Sequence, residues 1–421
     1  MPNLGTFKHG VSWSDVPTSV ISPVQAIPGV NVVFGSAPLH LAKNGKDNIN
    51  KPVLCNRFED AVAALGYSDD WDTYDLCEHM DSCFVRFGMF PAVYIAVNNP
   101  EDGGTPFTPT HFSLANGRVD TQKEFIRWTI TVKDSGASTT YVEGTDYLLS
   151  LSANNTWIVT RIAGGAITSD TATLTIGGTL PNANPITAED VIGGVDTGTG
   201  ARSGLEVIDD VFQVTGLVPG VIICPKFSKD PTVAAVMEAK CENINGCFAC
   251  TCLIDVDTSA VSSTQGVNDW KNTNNIVFPR QQCLFGKPAL IGAVQGQPGA
   301  AQAVTKIYNF ASQQGPLLQW TDTNKGNGLP YCSPSNKNLR MNALVVEGGD
   351  ELPMHLLDAN YLNGLGVVTA LNFVGGWRSW GNRTACYPSN TDVKDMFIPV
   401  RRMFDYIGNT IVLTIWQKVD E

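Results

Sequence analysis

Short apolar runs recur along this chain, and they stop over residues 100–196. Val30 to Gly35 and Val93 to Val97 are runs of this kind before the gap; Val221 to Cys224, Cys247 to Val256 and Val367 to Phe373 follow it. A run that does not alternate with polar residues predicts a strand buried on both faces, as in the sheets of α/β folds. Helical spacing fills the intervals. Arg57 to Leu65 reads as a helix behind a capping Asn56, ended by Gly66, and Asp72 to Cys83 places Tyr74, Cys77 and Met80 on one face. Asp230 and Pro231 are a cap and first-turn pair for a helix through Ile244, so residues 221–256 read as one βαβ unit. Further on, Ala300 to Gln313 predicts an amphipathic helix and Phe397 to Val400 a strand. Phe404, Ile407, Ile411 and Ile415 then give one apolar helical face.

The gap has a different character. Composition shifts near Asn99 towards Thr, Gly, Ser and Asn. Ile126, Trp128, Ile130 and Val132 alternate with Arg127, Thr129 and Thr131, and Ala172, Leu174 and Ile176 alternate with threonines. Period-two segments separated by Gly, Asn and Asp turns predict a small all-β insertion. Residues 1–24 read as an extended arm: Phe7, His9, Val11 and Trp13 alternate before turns at Pro17 and Pro23. An extended segment without a pairing partner is a liability unless something receives it. The fold class is therefore an α/β core, a mixed sheet with flanking helices that is discontinuous in sequence (25–99 and 197–421). It carries an inserted all-β domain (100–196) and an extended N-terminal arm (1–24).

Bulk properties narrow the function classes. The 421 residues suffice for two or three domains with real cores. A net charge of −12 argues against nucleic-acid binding as the main task. The charged fraction of 16% lies below the usual quarter and suits closely packed surfaces. Eleven cysteines, an odd number in a chain too long for a disulfide scaffold, read as reduced core thiols. No window approaches the 18 uninterrupted apolar residues of a membrane span, and no signal peptide opens the chain.

Candidate chemistry is sparse. Cys241, Cys247, Cys250 and Cys252 are the best metal candidates. Yet a single C-x₂-C lying in a strand lacks the second distant pair of a zinc ribbon, and core packing is the expected role. Gly348 to Glu351 is a GGDE tetrad followed by Pro353, which spoils a following strand, so it reads as a surface turn. Gly364 and Gly366 lack the third glycine of a dinucleotide loop. The five histidines are scattered, and no serine sits in a G-x-S-x-G elbow. No catalytic residue, cofactor or metal ligand is expected.

The region 358–419 holds an apolar strand, then Gly375, Gly376 and Trp377, then Trp380, Gly381, Asn382, Arg383 and Thr384, then Ile398 to Arg402. This order of motifs resembles the core of contractile phage tail sheath proteins. Tyr141 to Tyr147 and the segment ending at Gly194 resemble that family's inserted domain and its return to the core. The resemblance implies a structural protein that surrounds a tail tube. It implies hexameric rings stacked as a helix, with a metastable extended state and a contracted one. Its partners would be further copies, the tail tube protein, baseplate and tail terminator proteins, with no nucleic acid and no membrane insertion. It would be located in the virion tail after assembly in the host cytoplasm. Phe7, His9, Val11 and Trp13 would form an inter-subunit strand; Gly375, Gly376, Trp377, Arg378, Trp380, Asn382, Arg383, Arg401 and Arg402 would form the core motif or an interface. For the arginines two roles are open, pairing across subunits or orienting strands within one. The family usually continues past the position of Glu421 into a further helix, a tube-facing domain and a C-terminal arm. This chain alone is accordingly expected to be monomeric or weakly associated. The rival class is an α/β ligand-binding protein or enzyme with a β insertion, which needs a pocket of converging polar groups.

Overall fold

The computed structural model describes residues 25–295 and 302–419, and its centre is a nine-stranded mixed sheet. Its strands are β1 (Asn31–Gly35), β2 (Val53–Cys55), β3 (Ala92–Ala96), β4 (Val221–Ile223), β5 (Thr251–Asp255), β6 (Gln281–Phe285), β7 (Lys337–Asn338), β8 (Val367–Phe373) and β9 (Gly376–Trp380). They lie in the order β7-β9-β8-β6-β5-β4-β1-β3-β2. The six strands from β8 to β3 run parallel. Antiparallel β9, β7 and β2 form the edges. Every residue of β1, β3, β4, β5 and β6 is buried, which is why these strands read as runs rather than alternations.

One helix organises this sheet. Phe310–Asn324 packs against it with Gln313, Gln314, Gln319, Thr321 and Asp322 all buried. Gly315 permits the contact, since a Cβ there would stand 2.4 Å from Ile223 Cδ1 and 2.6 Å from Asn31 Oδ1. Burying so many polar groups is costly unless each finds a partner. Gln319 accepts from Asn31 Nδ2 at 3.1 Å and donates to Pro91 O at 2.9 Å. Gln314 accepts from Ser379 Oγ at 3.0 Å, and Gln313 accepts from Arg340 N–H at 3.1 Å. The helix thereby ties β1, the loop before β3, and β9 into one unit.

Residues between Thr105 and Leu180 build two three-stranded antiparallel sheets. One joins Thr105–Ser113, Thr173–Leu180 and Thr131–Asp134; the other joins Arg118–Asp120, Trp157–Arg161 and Tyr147–Leu151. They share a separate apolar cluster around Phe125, Val132, Trp157, Val159, Leu174 and Ile176; among the described residues Leu41 joins it from the α/β part. The chain returns through helix Ala188–Ile192, capped reciprocally by Thr187 and Asp190.

Several local expectations are corrected. Helix Phe58–Leu65 starts behind Arg57 without a side-chain cap; Asn56 instead gives its backbone N–H to Asp60 at 3.3 Å. The next helix starts only at Asp75 and continues past Met80 as a π-helical stretch to Arg86. Arg127–Thr129 is a 3₁₀ turn, and only Thr131–Asp134 is strand. The helix after Asp230 ends at Ala239, and β5 starts at Thr251, so Cys247 and Cys250 precede the strand. Residues 300–313 are not one helix: Gln302–Ile307 is a strand paired with Lys287–Gln295, and the helix begins at Phe310. Ile398 and Val400 open the helix Ile398–Ile415 rather than forming a strand, with Pro399 in the first turn, where its missing N–H costs nothing.

Candidate functional site

The motif region folds as one connected corner. Helix Leu356–Gly364 turns directly into β8, β8 returns as β9, and a loop leads to the helix Ile398–Ile415. Phe373 faces Gly376 across a two-residue hairpin loop. Gly375 and Gly376 take φ of 90° and 100°, a region β-carbons disfavour. Nothing lies within 4 Å of a Cβ built at Gly376, so the need there is conformational rather than spatial. Trp377 and Trp380 are half-buried against the main core. Asn382 accepts from Ser333 Oγ at 2.8 Å, and its carbonyl accepts the Ile398 N–H at 3.1 Å, fixing where the long helix starts.

The arginines find partners within the chain. Arg378 donates to the Asn336 side chain at 3.0 Å, and Arg383 stacks 3.7 Å over the Tyr387 ring. Arg401 bridges Asp395 at 3.1 Å and Asp405 at 2.8 Å. Arg402 grips Asp322 of the central helix bidentately, at 3.0 and 2.5 Å, fully out of solvent. Burial pushes the Asp322 carboxyl up and Arg402 opposes it; Asp405 is likewise raised by burial against Arg280 and Arg401. Arg280, at 2.9 Å from Asp405, had no signal in sequence.

These pairs give the helix Ile398–Ile415 an inverted character. Arg402, Asp405, Tyr406 and Asn409 face inwards, while Phe404 (50% exposed), Ile407, Ile411 and Ile415 face solvent, followed by exposed Trp416. Asn409 holds its face down through both backbone groups of Ala249, at 2.9 and 2.8 Å. The opposite corner is apolar too: Leu357 and Val374 are each 82% exposed, with Tyr361 and Phe373 also outward. Phe7, His9, Val11 and Trp13 lie outside the described residues.

A cleft of about 770 Å³ at the carboxyl ends of the parallel strands is where an α/β protein would hold a ligand. Its polar groups are occupied with each other. Lys287 pairs with Glu347 at 3.0 Å, and Lys229 with Asp257 at 3.3 Å. Buried Glu78 accepts from the Asn309 N–H at 2.5 Å, and buried Asp255, beside the cleft, accepts from the Ala311 N–H at 3.0 Å, so both close the amino end of the central helix. Burial raises Glu78 to about 8 and Asp255 to about 6. Among the described residues no group of three or more His, Cys, Asp or Glu is placed to hold a metal. Cys241, Cys250 and Cys252 are buried core thiols raised by burial, and Cys247 is partly exposed.

The architecture is a mixed α/β sheet with an outer helix that turns apolar residues to solvent. No family model matches the sequence. The tail sheath protein of Burkholderia phage BcepMu is 26% identical over 424 residues, covering 98% of this chain and 82% of its own. A prophage major tail sheath protein of Pseudomonas aeruginosa is 27% identical over 231 residues, covering 53% of this chain and 52% of its own. The helical sheath of the anti-feeding prophage in its contracted state shares the fold, with a TM-score of 0.51 and 11% identity over 98% of this chain and 77% of that one. The chain is thus similar to tail sheath proteins, to the phage protein along nearly its whole length.

Proposed function

We infer that this chain is a structural subunit of a contractile sheath that surrounds a tail tube and shortens to drive that tube through a cell envelope. The observation that carries this is the match to a phage tail sheath protein along 98% of the chain, combined with a sheath fold. The physical design agrees. The central helix and the buried Arg402–Asp322 pair bind the α/β part into one block. Such a block can move as a rigid body while only its outer contacts change. A difference in those contacts is what biases one assembled state over another.

In this reading residues 100–196 form an inserted β domain on the outside of the particle, and residues 1–24 form an arm that pairs with a neighbour. Partners are further copies in stacked hexameric rings, the tube protein, and baseplate and terminator proteins, with the tail as the location. Among the described residues no helix is long and apolar enough to cross a membrane. The test is electron microscopy of the chain produced together with its tube protein. Striated tubes that bind antibody to this chain are expected; discrete particles that leave bare tubes overturn the reading.

A further inference from the structure

His40 lies where the α/β part meets the β region. It sits in the 3₁₀ turn Leu39–Leu41, shortly after β1, and is 1% exposed. Its neighbour Leu41 enters the β cluster, and from the other side Trp128 packs on the main core. Both ring nitrogens are buried, and among the described residues neither has a hydrogen-bond partner. A neutral imidazole carries one donor and one acceptor, so this burial costs free energy that a leucine would not incur. The Tyr74 ring tilts over it with centroids 5.7 Å apart. Glu124 Oε2 of the β region stands 4.0 Å from Nε2, beyond hydrogen-bond reach. Asp70 and Cys77 act on Tyr74, and Asp70 also on Glu124. Charges on the other elements around the turn are engaged elsewhere or exposed. Lys46 pairs with Glu101, Arg127 with Glu143 and Asp60 with Arg57, while Lys43, Asp47 and Glu59 are exposed.

We propose that His40 is an acid-operated release between the α/β part and the β region: protonating the imidazole opens the contact that buries it. The closed contact has no place for an imidazolium. Two N–H donors would be buried with a half-exposed carboxylate out of reach, whereas an opened contact gives both to water. Burial accordingly lowers His40 from its ordinary 6.5 to about 4. A base with a depressed pKa in the closed contact favours closure at neutral pH, and that preference is lost as pH falls from 6.5 towards about 4. From about pH 7 to about pH 5 the opening equilibrium should rise about twentyfold. Glu124 works against the release: burial and Asp70 raise its carboxyl, so proton uptake there favours closure. The release is a property of this chain's own fold and stands whether or not copies assemble.

Hydrogen exchange on the full chain tests the release through the amides of the turns Leu39–Leu41 and Arg127–Thr129, corrected for the intrinsic pH dependence of exchange. In the parent, protection there should fall about twentyfold from about pH 7 to about pH 5, while the amides of β5 stay protected. In His40→Leu it should stay level over the same range. His79, buried in the α/β core, is kept in both chains, so acid effects on the whole fold appear equally in each. Glu124→Gln should keep the response and steepen it. If Glu124→Gln abolishes the response, the contact is an ion pair broken at the carboxylate, and the assignment to His40 is overturned. So it is if His40→Leu loses protection in acid as the parent does, or if β5 loosens together with the turns. The ring resonance of His40 in the parent gives a reading that needs no variant to fold. It should remain mostly neutral down to about pH 5. A ring that titrates near 6.5 while the turn amides stay protected overturns the proposal.

Discussion

The α/β part and the residues between Thr105 and Leu180 solve the same problem in opposite ways. The first buries many polar groups and pairs several of them over long sequence distances: Arg402 with Asp322, Asn31 with Gln319, Glu78 with Asn309. The second uses its carboxylates mainly to hold its own turns. Asp146 accepts from the Val142 and Ala166 N–H groups, and Asp134 from Thr139. Its apolar cluster takes in Leu41 from the α/β part, and Trp128 of the β region packs against the larger core. The lesson is one of coupling. A network of buried pairs makes distant segments fail together, whereas a locally satisfied β region can loosen alone.

Breaking the buried pair should have the largest effect. Arg402→Ala leaves Asp322 charged and unpaired inside the core, and about 3–5 kcal/mol of stability should be lost. Chemical denaturation checks it, and the loss should appear in one cooperative transition of the α/β part. Ile176→Ala probes the other side of the comparison. Its cavity should cost about 2–4 kcal/mol, confined to the β region, so that calorimetry shows an early separate transition with the main one unmoved. If both transitions fall together, the two regions are one unit. Gly376→Val forces a β-branched residue into positive φ at the hairpin, at a cost of roughly 1–3 kcal/mol read from the melting temperature.

The smallest effect distinguishes two buried carboxylates of the α/β part from two turn carboxylates of the β region by sign. Glu78 and Asp255 have folded pKa values raised to about 8 and about 6, above their unfolded ones. The stability they contribute is therefore fully present at low pH and is lost as pH rises through about 6 and then about 8. Backbone donors hold Asp146 and Asp134 below the usual carboxylate range, so their contribution is present at neutral pH and lost on acidification. Calorimetry from acid to mild alkali, with the Ile176→Ala variant marking the β transition, should show the two transitions shifting in opposite directions. A common drift would dissolve the distinction.

What was legible in sequence follows the same division. Strands such as Val367–Phe373 stood out because burial on both faces leaves a run of apolar residues. The helix Phe310–Asn324 was misplaced towards residues 300–313 because a helix buried all round with polar partners has no amphipathic stripe to read. Its start is set by Glu78 and Asp255, far away in the chain. The stripe of Phe404, Ile407, Ile411 and Ile415 was readable as a face, but not its direction. That depends on Asp322, Arg280 and Ala249 holding the polar face inward. Arg401 and Arg402 stood out as a pair of charges; the structure pairs Arg401 with nearby Asp395 and Asp405 and Arg402 with distant Asp322.

The inward face of that last helix also defines a load path. Residues 26–29 lie against Arg402, Tyr406 and Asn409, so the first described residues sit beside the last described helix. Tension applied between residue 25 and residue 419 would cross this short contact and bypass the nine strands, whose hydrogen bonds would carry almost none of it. The Arg402–Asp322 pair then acts as a rivet at this contact, and the sheet behind it would stay slack under such a load. Stretching single molecules from these two points should release the helix first, in a small step, well before the sheet opens in a large one.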